Sequence, residues 1–105
     1  MIVKMNKKYE SVFIIKEDCN EKDIINEIDK IIEGQKAEIS RKDELGLKKL
    51  AYEIRKNKSG YYYVVYFEIT NDNNNPIAKI QKQINTIEEI LKFIIVKVDE
   101  EAEYE

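Results

Sequence analysis

The spacing of apolar residues changes along the chain, and each spacing predicts a different element. Lys8 to Lys16 frames the β-rich run Tyr-Glu-Ser-Val-Phe-Ile-Ile between charges and reads as a strand. Glu17-Asp18-Cys19-Asn20 follows as a turn, with Asp18 or Asn20 able to cap a helix. Ile24, Ile25, Ile28, Ile31 and Ile32 then recur at helical spacing, and Gly34 ends the stripe. Ala37 to Lys42 and Leu50 to Arg55 alternate well enough for one long strand, with room for an interruption between them. Asn57-Lys58-Ser59-Gly60 is read as the hairpin connection. Tyr61 to Thr70 is the strongest strand in the chain. Asn71 to Asn75 is a polar loop, Pro76 opens a second helix with Ile77, Ile80 and Ile84 on its buried side, and Lys92 to Val98 forms the last strand.

The order is βαββαβ. With right-handed crossovers, two split βαβ units give an α+β, ferredoxin-like domain: a four-stranded antiparallel sheet with both helices on one face. The third strand assigns the faces, because side chains alternate across a sheet. Tyr61, Tyr63, Val65, Phe67 and Ile69 are apolar throughout and belong against the helices. Tyr62, Val64, Tyr66 and Glu68 belong on the open face, joined there by Val12 and Ile14 of the first strand. Such an open face is more apolar than a monomer usually exposes, so either a partner covers it or the long second strand and the tails do.

A length of 105 residues holds one domain with one core. We divide it into a short extension (1–7, within which Met5 offers an alternative start), a domain (8–99) and an acidic tail (100–105). The longest apolar runs, such as Phe93 to Val96, are too short to span a bilayer, and the first residues carry no secretory stretch. One cysteine, Cys19, cannot form an intramolecular disulfide, which fits a reducing cytoplasm. The net charge of −3 argues against coating nucleic acid through bulk charge. Asp99, Glu100, Glu101, Glu103 and Glu105 concentrate five of the 21 acids at the end, however, which leaves 16 acids against 18 cations in the rest. A local RNA footprint therefore stays open.

The segment Asp43-Glu44-Leu45-Gly46-Leu47-Lys48-Lys49-Leu50-Ala51-Tyr52-Glu53-Ile54 resembles the Gly-x-basic-basic-Leu-Ala-Tyr-x-Ile signature of the bacterial small-subunit ribosomal protein six family. Lys8-Tyr9-Glu10, Gly60-Tyr61-Tyr62-Tyr63 and Phe93-Ile94-Ile95-Val96-Lys97-Val98 fall where that family has similar residues, so the likeness runs from Lys8 to about Asp99. The resemblance implies the same βαββαβ fold. It also implies a cytoplasmic, ribosome-associated structural protein that binds the central domain of small-subunit ribosomal RNA. The family does so as a heterodimer with small-subunit ribosomal protein eighteen, with no cofactor or metal. Two departures stand out: Gln83 to Glu89 holds two acids and no cation where the family is often richer in Arg, and Glu53 stands where many members have Pro.

RNA phosphates attract clustered cations, and unpaired bases stack on aromatic rings. Lys7 and Lys8 form one cluster and Lys48 and Lys49 a second, with Arg55 and Lys58 further along and Lys92 and Lys97 bracketing the last strand. Tyr9 and Tyr52 are the candidate stacking residues; the plainer reading is an amphipathic tyrosine with its ring in the core. Val12, Ile14, Tyr62, Val64 and Tyr66 are assigned to a protein partner.

Three other classes fit the pattern less well. An RRM motif matches Ser59 to Tyr66 superficially, but it would turn Tyr61 and Tyr63 to the RNA, against the apolar row, and it lacks the leading cation. An acylphosphatase-like hydrolase needs a phosphate cradle, whereas the first turn here has no Gly and carries two carboxylates. Histidine chemistry is excluded by composition, and acids flank Cys19. A self-associating or small-molecule regulatory module would use the apolar face without any basic cluster.

Overall fold

The computed structural model describes residues 7–70 and 75–98. The proposed extension, most of the polar loop and the acidic tail lie largely or wholly outside them. The elements are β1 (Lys7–Lys16), α1 (Glu21–Glu33), β2 (Ala37–Ile54), β3 (Asn57–Ile69), α2 (Pro76–Ile84) and β4 (Ile90–Lys97). The strands form one antiparallel sheet in the order β2-β3-β1-β4, the ferredoxin-like arrangement that the element order predicts. Among the described residues, no helix is long and apolar enough to cross a membrane.

The helix side is a sealed core. Phe13 and Ile15 of β1 and Tyr63, Val65, Phe67 and Ile69 of β3 pack with Ile24, Ile25, Ile28 and Ile32 of α1 and Ile80 and Ile84 of α2. Asn20 caps α1 by accepting a hydrogen bond from the Lys22 amide at 3.2 Å. Gly34 stays right-handed at φ −63°, and the left-handed residue after α1 is Lys36, at φ 62°. Inside the apolar stripe sits Asp29, buried because its carboxylate accepts from the Tyr63 hydroxyl at 2.6 Å and the Lys42 ammonium at 3.1 Å. Burial, and then that carboxylate, hold the Tyr63 hydroxyl far above its ordinary tyrosine value.

β2 is the long strand expected, 18 residues with register shifts between Ile39 and Arg41, Glu44 and Gly46, and Lys49 and Ile54. One expectation is corrected. The hairpin turn is Arg55-Lys56, and Asn57 to Gly60 already belong to β3. Both turn residues have positive φ (48° and 67°), the backbone that a two-residue connection needs to match strand twist. Gly60 serves a different end. A Cβ there would come within 2.7 Å of Ile14 Cγ2, so glycine lets β1 and β3 close up.

Candidate nucleic-acid interface

Register places the open face. Val12 pairs with Val64 and Ile94, Ile14 with Tyr62 and Lys92, and Glu10 with Tyr66 and Val96, so these side chains share the side away from the helices. Its far corner at β2 adds Arg41, whose guanidinium lies 5.5 Å from the Tyr66 ring centre and 3.1 Å from Asp43.

Part of this face is covered by the chain itself. β2 and β4 are opposite edges of the sheet. Even so, Lys92 Nζ of β4 donates to the Tyr52 hydroxyl of β2 at 3.0 Å. The Arg55 Nη2 donates to the carbonyls of Ile90 and Glu88 at 2.7 and 3.2 Å. The β2–β3 tip must therefore bend across the end of β1. Leu50 and Val64 are buried yet lie outside the helix-side core. Val12, Ile14, Tyr62 and Tyr66 are half-buried, while Ile94 and Val96 stay about half exposed, at 50% and 48%.

The predicted RNA residues separate into two groups at opposite ends of β1, about 30 Å apart at 3.3 Å per residue. Lys48, Lys49, Tyr52, Arg55, Lys58 and Lys92 gather at the hairpin end. Tyr52 is 56% exposed and carries the Lys92 ammonium 5.6 Å from its ring centre. Accepting the Lys92 hydrogen bond, the Tyr52 hydroxyl raises that ammonium above its ordinary lysine value. Lys48, Lys49 and Lys58 are exposed. Arg55 is different, since its guanidinium is spent on two backbone carbonyls. The other end holds Lys7, Lys8, Tyr9 and Lys97. Tyr9 stacks on Phe67 at 5.4 Å against the core, the plainer of its two readings. Lys97 pairs with Tyr9 and turns to the helix side, and Lys8 pairs with Glu68 on the open side.

Sequence reasoning missed the Lys92–Tyr52 contact and the carbonyl-capping role of Arg55. Both depend on the bend of the tip, which no local pattern encodes. It also placed Val64 among the partner contacts, whereas Val64 is buried at 7% exposure.

Comparison with known proteins bears on this site. The family model described as ribosomal protein S6 matches residues 8–97. The small ribosomal subunit protein bS6 of Sulfurimonas denitrificans is 32% identical over 92% of this chain and 71% of its own length. That of Rickettsia prowazekii is 36% identical over 87% and 75%. The crystal structure of 30S ribosomal protein S6 from Thermotoga maritima superposes with a TM-score of 0.82 at 28% identity, covering 90% of this chain and 89% of that one. The P2 domain of the chemotaxis kinase CheA from the same organism shares the fold alone, at 19% identity and a TM-score of 0.59.

Proposed function

The chain belongs to the ribosomal protein S6 family, and on that premise we propose that it is a structural component of the small ribosomal subunit in the bacterial cytoplasm. In this reading it binds the central domain of small-subunit ribosomal RNA as a heterodimer with ribosomal protein eighteen, and carries out no catalysis. The observation that carries the RNA contact is Tyr52, an exposed ring with the Lys92 ammonium 5.6 Å from its centre, on the hairpin that also carries the exposed Lys48, Lys49 and Lys58. An exposed aromatic surface with a cation against it and further lysines on the same hairpin suits an unpaired base and its phosphates. Arg55 supports that platform by fixing the bend of the tip. Lys7, Lys8 and Lys97 form a second, separate phosphate contact, and the half-buried Val12, Ile14, Tyr62 and Tyr66 receive the protein partner.

Titration of the full chain onto a central-domain RNA fragment, with and without ribosomal protein eighteen, tests this at two salt concentrations. The expected result is weak binding alone, much tighter binding with the partner, and an affinity that falls with salt. Replacing Lys48 and Lys49 together by Ala reduces that affinity. Binding that ignores the partner and is no better than to an unrelated duplex refutes the reading.

A further inference from the structure

The two edges of the sheet are defended unequally. β2 is broken by three register shifts, includes Gly46 at φ 85°, and carries charges of both signs along its length. These are the devices that keep an edge from accepting another strand. From Lys92 to Lys97 β4 has no register shift against β1 and no glycine, and its charges are confined to the two end lysines.

Hydrogen bonding fixes which groups of β4 point outward. The Val98 amide donates to the Lys8 carbonyl at 2.8 Å, so Val98 faces β1. By the two-residue alternation of an antiparallel ladder, Val96, Ile94 and Lys92 face β1 as well. The amides and carbonyls of Phe93, Ile95 and Lys97 therefore point away from the sheet. Among the described residues nothing bonds them. The nearby Ile90 carbonyl is already occupied by Arg55.

Side chains along this edge follow a simple order. Lys92 and Lys97 stand at its ends, and Phe93, Ile94, Ile95 and Val96 lie between them. Ile94 and Val96 are exposed on the open face, and Phe93 and Ile95 are half-buried on the helix side. Among the described residues neither lysine has a carboxylate within ion-pair distance, and Glu10 sits a strand inward, opposite Val96.

We propose that β4 is an acceptor edge for an extended segment of another protein that reads acid, four apolar residues, acid, and that adds to the sheet as a fifth strand. The order is palindromic, so the segment matches Lys92 to Lys97 whether it runs parallel or antiparallel. Backbone bonds to Phe93, Ile95 and Lys97 supply affinity, and the end carboxylates on the two lysines supply selectivity. A second copy of this chain fits less well, because β4 offers lysines and no acid to meet them. The inference goes beyond the RNA reading and shares Lys92 and Lys97 with it.

The test uses the full chain and a capped peptide, Gly-Ser-Asp-Val-Val-Ile-Val-Glu-Ser-Gly, followed by amide NMR shifts and hydrogen exchange. Binding should shift and protect the Phe93, Ile95 and Lys97 amides. Replacing the peptide's two acids by lysine should weaken it at least tenfold, and N-methylating its β4-facing amides should abolish it. In the protein, Val96→Lys should weaken binding at least tenfold while leaving the unfolding midpoint unchanged. Absence of β4 shifts at millimolar peptide overturns the proposal, as does equal binding of the acid-ended and lysine-ended peptides. Concentration-dependent β4 shifts, with a dimer in sedimentation that Val96→Lys dissolves, would give the edge to a second copy and overturn the assigned occupant.

Discussion

The two faces of the sheet come from the same strands by strict alternation, yet they are closed by different means. On the helix side, Phe13, Ile15, Tyr63, Val65, Phe67 and Ile69 are at most 1% exposed, beneath two helices that contribute a row of isoleucines. On the other side the cover is a bent hairpin. It buries Leu50 and Val64 and leaves Ile94 and Val96 half exposed. The first cover rests on apolar burial worth about 1.5–3 kcal/mol per large side chain. The second rests on a few polar contacts: those of Arg55, worth about 1 kcal/mol each, and the exposed Lys92–Tyr52 pair, worth less than either. Fold stability is thus concentrated on one face, while the other can be contacted and altered at small expense.

The strongest contrast is between Phe13→Ala and Val96→Ala. Phe13 is fully enclosed and lies against Tyr63 and Phe93, so its truncation should remove about 3–5 kcal/mol in urea unfolding. Val96→Ala should change stability by less than about 0.5 kcal/mol. Comparable losses at both positions would erase the distinction between the faces.

A smaller effect tests the one polar cluster inside the sealed face. Tyr63→Phe removes a donor from the buried Asp29 carboxylate and should cost about 2 kcal/mol near neutral pH. An unfolded tyrosine titrates near pH 10, whereas burial and the Asp29 carboxylate raise the folded Tyr63 well above that. Stability from this pair is therefore intact below about pH 10 and falls as pH rises further, since the unfolded chain loses the proton first. Urea midpoints between pH 8 and 11 should decline more steeply in the parent chain than in Tyr63→Phe. Parallel curves would mean that Tyr63 contributes nothing to alkaline unfolding.

How much of this was legible depends on the range of the interaction. The isoleucine stripe of α1, the alternating row of β3 and Pro76 at the start of α2 are local patterns, and each gave its element. The hairpin turn was misplaced because Asn57 to Gly60 has the composition of a turn, while the residues that adopt positive φ are Arg55 and Lys56. Gly60 answers a tertiary demand from Ile14, which spacing cannot express. Asp29 leaves no local signal for the same reason, since its partners lie 13 and 34 residues away. The cationic cluster at the tip was nominated from sequence, but its separation from Lys7, Lys8 and Lys97 came only with the register.

The misplaced turn supplies the next prediction. Left-handed backbone at a side chain larger than glycine costs about 1 kcal/mol. Lys56→Gly should therefore raise stability by roughly that amount, measured by urea unfolding, and slow exchange at the hairpin amides without touching either face. A loss of stability would mean that the Lys56 side chain contributes an interaction that outweighs its backbone strain.

The smallest stability effect falls on Tyr52, and it separates the two properties of the open face most sharply. The ring is exposed, and its hydroxyl only accepts from an exposed lysine, so both Tyr52→Phe and Tyr52→Ala should move stability by less than about 0.5 kcal/mol. Under the RNA reading the two variants then diverge. Phe keeps the stacking surface and should hold affinity for the central-domain fragment within about twofold. Ala removes it and should weaken binding by about tenfold, in line with about 1–3 kcal/mol for one stacked base. If Phe and Ala lose affinity equally, the hydroxyl's hold on Lys92 matters and the ring does not. If neither loses any, the hairpin end is a solvated cationic surface, and the RNA contact has to be sought at Lys7, Lys8 and Lys97.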